Sequence, residues 1–308
     1  MSASRATKRT GGTLLCVSVA TREAAAEAIG ERLGEVLGCG TAICTNAQTR
    51  RTEVTACLDR RGGLSAVERG RIRSAWAELR TAGFDAGSGR IQTRRLRRED
   101  WAESWKRHFK PVEISRVLLL KPSWSRRRPR RGQVVVVLDP GLSFGTGQHA
   151  TTRFCLEQLA TERVPGRAQS FLDIGTGSGI LAIAAAKLGY RPVAALDFDP
   201  ESVRVARENA RTNDVLRSIR LVQADLRALP WRARETFDVI AANLTSDLLI
   251  GERRRILARL KPGGALVLAG ILRRQFAGVK KEMARGGMKL AVKDIEGEWS
   301  SGLFRRRA

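Results

Sequence analysis

The residues richest in chemistry run from Asp173 to Gly179, Asp-Ile-Gly-Thr-Gly-Ser-Gly, between an apolar segment and a helix-forming one. Glycines let a backbone turn tightly and approach a ligand, and the start of a helix adds exposed N–H donors. A dinucleotide turn is spaced G-x-G-x-x-G; here the spacing is G-x-G-x-G with an acid two residues ahead. That acid-first form suits a ligand with a cationic amino-acid end and no pyrophosphate, a dinucleotide being the alternative. More polar residues end the later apolar segments. Asp197 or Asp199 offers a carboxylate whose two oxygens can accept from both hydroxyls of a ribose. Asp225 stands where it could reach an adenine amino group, Asn243 ends Ala241-Ala-Asn, and Pro262-Gly-Gly264 makes a turn. One acid at a strand end is usually a loop residue. Five such elements in order point to a ligand, because open α/β sheets bind at the C-terminal ends of their strands.

Ahead of this constellation lies Asp139-Pro-Gly-Leu-Ser-Phe-Gly-Thr-Gly-Gln-His-Ala-Thr-Thr152. So glycine-rich a loop loses much entropy when ordered. It reads as a lid or cofactor clamp built from Phe144, Gly145, Thr146, Gly147 and His149. The plain alternative is a turn in which Thr151 or Thr152 caps a helix over Arg153–Thr161.

The elements that must position these residues alternate strand and helix from Ser170 onward, the pattern of a parallel sheet covered on both faces. Strands are expected over Ser170–Ile174, Pro192–Asp197, Ile219–Gln223, Phe237–Ala242 and Ala265–Gly270. Helices are expected over Gly179–Leu188, Glu201–Thr212, Ser246–Leu260 and Gln275–Arg285, with a closing pair of strands, Met288–Glu296 and Trp299–Arg305. Residues 1–12 are polar and basic and read as disordered. Residues 13–98 read as strand-helix-strand-strand-helix-strand, which suits a ferredoxin-like α+β sandwich. Ser65 and Glu68 form a capping box at its second helix. Residues 99–112 read as a linker helix with Trp101, Trp105 and Phe109 on one face. Residues 113–308 make the catalytic domain, beginning with strands Val117–Leu120 and Val134–Leu138. Between those two strands lies Ser125-Arg-Arg-Arg-Pro-Arg-Arg-Gly132, too charged to pack and hence a solvated loop.

The chain carries 56 Lys and Arg against 31 Asp and Glu, a net charge of +25. Such a field favours polyanions, so RNA contact through the basic surface is an expectation. No apolar run is long enough to cross a membrane, and Leu14–Ala20 is too short and too interrupted to be expected to act as a signal peptide. Five cysteines without CxxC spacing and only two histidines, His108 and His149, argue for free thiols in a reducing cytoplasm and against a zinc site.

DPGLSFGTGQHATT at 139–152, DIGTGSGILAIAAAKLG at 173–189, LDFDP at 196–200, ANL at 242–244, LKPGG at 260–264 and EWSSGLFRR at 298–306 together resemble the bacterial methyltransferases of ribosomal protein L11, the PrmA type. The resemblance implies a Rossmann-like class I methyltransferase fold with a seven-stranded, mostly parallel sheet, and a smaller ferredoxin-like domain that grips the substrate protein. It implies S-adenosylmethionine as cofactor, with Thr152, Gly175, Asp197 and Asn243 contacting it and Asp197 preferred to Asp199. It also implies N-methylation of lysines, and of an α-amino group as a further acceptor, by a monomer, with Asn243 positioning the amine. Ala150 departs from the proline common after the histidine, and the charge exceeds what the family leads one to expect. An RNA or small-molecule methyltransferase on the same scaffold, a lysine methyltransferase of another protein, and a non-enzymatic RNA-binding protein are the competing readings.

Overall fold

The computed structural model describes residues 13–22, 25–45, 52–60, 62–81, 83–97, 110–139 and 149–306. The chain divides into two compact units, residues 1–109 and 110–308.

In the first unit β1 (Thr13–Thr21), α1 (Ala26–Leu37), β2 (Thr41–Thr45), β3 (Thr52–Leu58), α2 (Ala66–Thr81) and β4 (Ile91–Arg97) follow one another. The sheet order is β2-β3-β1-β4 with every neighbouring pair antiparallel, the ferredoxin-like arrangement. Helix α1 stops where Gly38 turns to φ 65°. The capping box of α2 forms: Glu68 N donates to Ser65 Oγ at 3.2 Å, and Ser65 N donates to the Glu68 carboxylate at 2.8 Å. Val17, Val19, Ile29, Leu33, Val54 and Ile72 make the core. One expectation fails here. Cys16 and Cys57 are not free thiols but a disulfide. The β1–β3 register sets these two residues directly opposite each other, a proximity that a separation of 41 residues hides in the sequence. Cys39 and Cys155 are free.

The second unit opens with a three-stranded sheet of β5 (Val112–Ser115), β6 (Leu118–Lys121) and β7 (Val134–Val137). Of the expected linker helix over 99–112, residues 99–109 lie outside the described residues. Its last residue, Val112, instead begins β5 and pairs with Leu120, because Ile114 must alternate into the core.

Next come α3 (Ala150–Glu162), β8 (Phe171–Ile174), α4 (Ile180–Leu188), β9 (Val193–Asp197), α5 (Pro200–Thr212), β10 (Ile219–Gln223) and β11 (Phe237–Asn243). The chain closes with α6 (Ser246–Gly251), α7 (Arg253–Ala258), β12 (Leu260–Leu272), α8 (Phe276–Arg285), β13 (Met288–Glu296) and β14 (Trp299–Arg306). The sheet order is β10-β9-β8-β11-β12-β14-β13, parallel from β10 to β12, with β14 antiparallel to both its neighbours. This is the Rossmann-like class I methyltransferase topology. Strand residues alternate between two cores, as the pleat requires. Phe171, Ala195, Val239 and Val267 face α3 and α4, whereas Leu172, Leu196, Ile240 and Leu268 face Leu249, Ile256 and Met283 of α6, α7 and α8.

Two expected elements differ. The single helix over Ser246–Leu260 is broken, since Glu252 leaves helical geometry (φ −99°, ψ 12°) right after Gly251, a weak helix former. The Pro262–Gly264 turn lies inside β12 and interrupts its ladder with β11 between Leu260 and Ala265.

Candidate active site

The register of the parallel strands brings the chemistry to one edge. Gln223 pairs with Asp197, Leu196 with Ile174, Ile174 with Ala242, and Asn243 with Ala269. Asp197, Gly175, Asn243 and Gly270 therefore emerge side by side at the C-terminal ends of β9, β8, β11 and β12. The loop after β8 holds Gly175, Gly177 and Gly179 at φ 75°, 52° and 81°, a region hostile to other residues. Two of these glycines are also fixed by contact: a Cβ at Gly175 would lie 2.5 Å from Leu244 Cδ2, and one at Gly179 would lie 2.9 Å from the Ala206 Cβ.

The four acids divide the work. Asp173 is 1% exposed, with Oδ2 accepting from the Thr176 hydroxyl at 2.6 Å and from Ala182 N at 3.2 Å. Its Oδ1 is buried with no partner in the structure. Burial pushes this carboxyl up to about 7 against the pull of those two hydrogen bonds. Asp197 is also buried and braces the loop: Gly177 N donates to Oδ2 at 2.8 Å and Asp199 N to Oδ1 at 3.1 Å. Each of those oxygens keeps acceptor capacity for a hydroxyl. Asp199 is occupied otherwise, capping α5 by accepting from Glu201 N and Ser202 N. Asp225 caps the short helical turn Leu226–Ala228 and is gripped by the Arg227 guanidinium at 2.9 Å, which holds its carboxyl below the usual range. It does not stand free at the edge. Phe198, between Asp197 and Asp199, is 68% exposed, a large apolar ring left in solvent beside the acid that faces the loop.

At the other end of the edge a short relay reaches Asn243. His149 is the N-cap of α3, so the cap is not Thr151 or Thr152, and the helix starts at Ala150. Thr151 N donates to His149 Nδ1 at 3.1 Å. A backbone N–H can only donate, so Nδ1 carries no proton and the ring is the Nε2-protonated tautomer. The Thr151 hydroxyl, 2.6 Å from the same nitrogen, must then donate to it. Its oxygen is left to accept, and Asn243 Nδ2 donates to it at 3.3 Å. The amide of Asn243 is thereby oriented: nitrogen toward Thr151, Oδ1 as the remaining acceptor, beside the backbone of Gly270, where a Cβ would sit 2.9 Å from it. Trp299 meets the His149 ring edge-on at 5.4 Å and supports the relay. Thr152, 1% exposed, has a hydroxyl with no partner.

Phe144, Gly145, Thr146 and Gly147 lie outside the described residues. Phe198 and Trp299 have no role in the sequence reading, and Thr151 figures there only as one of two candidate helix caps, not as a partner of Asn243. Phe198 sits inside the LDFDP segment and could have been flagged as an apolar residue next to a ribose-type acid; Thr151 and Trp299 gave no signal, because their partners are remote in sequence. A polar cavity lined by Glu162, Gln169, Asp238, Gly263 and Arg305 opens at the N-terminal edge of the strands, and none of the residues above lines it.

The family model of ribosomal protein L11 methyltransferase (PrmA) matches residues 13–307. The chain belongs to this family. Ribosomal protein L11 methyltransferase of Geobacter sulfurreducens is 45% identical over 210 residues, 68% of this chain and 67% of that protein. The protein of that name from Chloroflexus aurantiacus is 41% identical over 239 residues, 71% of this chain and 72% of that protein. Among solved structures, a ribosomal protein L11 methylase from Lactobacillus delbrueckii subsp. bulgaricus aligns with a TM-score of 0.58 at 32% identity, covering 65% of this chain and 100% of that one. Like other members of the ribosomal protein L11 methyltransferase family, the protein is a methyltransferase. No helix among the described residues is long and apolar enough to cross a membrane.

Proposed function

We propose that this protein transfers methyl groups from S-adenosylmethionine to amino groups of ribosomal protein L11, lysine side chains first and an α-amino group as a further acceptor. The observation that carries this reading is the oriented amide of Asn243 beside the glycine loop, in a chain of this family. The cofactor would be held by Thr152, Asp173, Gly175, Gly177, Gly179, Asp197, Asp225 and Asn243. The fit is supported by two buried polar atoms without partners, Thr152 Oγ1 and Asp173 Oδ1, and by the spare acceptor capacity of Asp197. When bound, S-adenosylmethionine supplies an electrophilic methyl group on a sulfonium. Phe198 offers a flat apolar platform for the adenine next to Asp197. Asp225, already paired with Arg227, contributes through that pair rather than as a free carboxylate.

A lysine ammonium must lose its proton before its nitrogen can attack, which costs roughly 4 kcal/mol near neutral pH. Burial and a neighbouring positive charge both lower that cost. Asn243 Oδ1 then accepts an N–H of the neutral amine and aims its lone pair, which is positioning rather than proton transfer. The ferredoxin-like unit is assigned to grip the substrate protein. The protein works as a monomer in the cytoplasm, where its ribosomal substrate is made.

The test is transfer of tritiated methyl from S-adenosylmethionine to purified ribosomal protein L11, followed by acid hydrolysis. Label in methylated lysine supports the reading; an unlabelled ribosomal protein with active, cofactor-binding enzyme contradicts it.

A further inference from the structure

The arginine tract between β6 and β7 belongs to no part of the site, and its structure is not that of a free loop. Because β6 and β7 are parallel, residues 122–133 must run back along the three-stranded sheet to join them. The crossover is pinned at several points. Glu113 of β5 receives Arg127 Nη2 at 2.7 Å and Arg130 Nη1 at 2.8 Å, one guanidinium on each carboxylate oxygen. Lys121 Nζ donates to the carbonyls of Ser125 and Arg127. Gln133 Oε1 accepts from Arg130 N while its Nε2 donates to the carbonyl of Ser115. Leu119 points away from the main core side of the sheet, opposite to Leu118 and Leu120, and is still fully buried.

What this scaffold displays is charge. Residues 110–139 hold eight Lys or Arg against Glu113 and Asp139. Both acids are already engaged, Glu113 by two arginines and Asp139 by Ser123 N. Arg126, Arg128 and Arg131 are exposed on the crossover, and Arg116 is exposed at the β5–β6 turn, next to the Ser115–Gln133 bond. Holding like charges together in a fixed backbone is unfavourable until something neutralises them. Only two of the tract's five arginines are used to fix the loop.

We propose that this pinned arginine crossover is a docking surface for the phosphodiester backbone of RNA. Guanidinium groups match phosphate oxygens bidentately, and because the backbone that carries them is already pinned, only their side chains have to be ordered on binding. The choice of RNA over another polyanion rests on the assignment of a ribosomal protein as substrate, which places the enzyme beside RNA at work. The surface then serves to hold the enzyme near substrate that is being assembled with RNA, and takes no part in methyl transfer.

The experiment measures binding of a fluorescein-labelled single-stranded RNA of mixed sequence to the full chain across a salt series. One variant carries Arg126→Gln, Arg128→Gln and Arg131→Gln. A control carries Arg207→Gln, Arg211→Gln and Arg217→Gln, three exposed arginines elsewhere with the same total charge removed. Three lost phosphate contacts reduce the slope of log affinity against log salt by about 2. The crossover variant should show that loss, the control should not, and both should methylate free ribosomal protein L11 within twofold of the parent. Three results overturn the proposal: equal RNA binding by the crossover variant, an equal loss in the control, or equally tight and equally arginine-sensitive binding of polyglutamate or phosphatidylglycerol vesicles. If RNA binding follows the crossover but no methyl reaches the ribosomal protein, the substrate assignment fails and the docking surface stands.

Discussion

Replacing Thr151 by valine keeps the shape and branching of a residue that is 1% exposed and removes a single hydroxyl. That hydroxyl joins His149 Nδ1, at 2.6 Å, to Asn243 Nδ2, at 3.3 Å. Two neutral hydrogen bonds of about 1 kcal/mol each are lost, so the fold should weaken by about 1–2 kcal/mol, a small fall in melting temperature. The catalytic effect is larger relative to the site. Without Thr151 the Asn243 amide has no partner to fix which end faces the amine, and about 1.4–2.7 kcal/mol of positioning is at stake, or about 10- to 100-fold in rate. Single-turnover methyl transfer to ribosomal protein L11 should slow by that factor, while calorimetric affinity for S-adenosylhomocysteine changes less than about threefold. Thr151→Ser, which restores the hydroxyl, should recover most of the rate. A valine variant that turns over within twofold of the parent would refute the relay, as would a serine variant no better than valine.

Gly270→Ala puts a Cβ 2.8 Å from the Leu244 carbonyl and 2.9 Å from Asn243 Oδ1 at φ 77°; it should cost more than about 1 kcal/mol and displace the amide, read as a fall in kcat with a correctly folded far-ultraviolet spectrum. Asp173, pushed up to about 7 by burial, binds its proton more tightly folded than unfolded. The unliganded protein should therefore lose stability, on the order of 4 kcal/mol at most, as pH rises from about 4 through 7. Asp173→Asn should lack that decline in a pH series of thermal melts; an unchanged decline would assign it elsewhere. Phe198→Ala should weaken S-adenosylhomocysteine about tenfold, the worth of a lost stacking surface, and leave the melting temperature nearly unchanged because the ring is in solvent.

Much of the fold could be read directly from residue order. Leu172 and Ile174 alternate with Phe171 and Asp173 in a short apolar run, which is what a strand buried on both faces requires, and Ser65 with Glu68 announces a helix start that forms as written. The site glycines are equally plain, because glycine adopts such φ values at least cost and, at Gly175 and Gly179, has no Cβ to meet Leu244 or Ala206. What the sequence hid is long-range or depends on side-chain direction. The Cys16–Cys57 bond exists only once the β1–β3 register is set. Thr151 and Asn243, 92 residues apart, meet only through the packing of α3 on the sheet. Asp173 looked like a ligand-facing acid, yet one oxygen turns inward to Thr176 and Ala182. Asp225 looked free, yet Arg227, two residues away, closes on it. Strand β5 was missed because four residues give too short an alternation to separate from the helix expected before it.

The proposed methyl transfer requires the C-terminal edge of β8, β9 and β11 to hold one methyl donor. Isothermal titration of S-adenosylhomocysteine into the full chain tests it with least interference from the substrate protein. One molecule should bind per chain, and Asp197→Ala, which removes both the hydroxyl acceptors and the brace on Gly177 N, should weaken binding by about 30-fold or more. Absence of binding heat, or an Asp197→Ala variant that binds as tightly as the parent, would contradict the account.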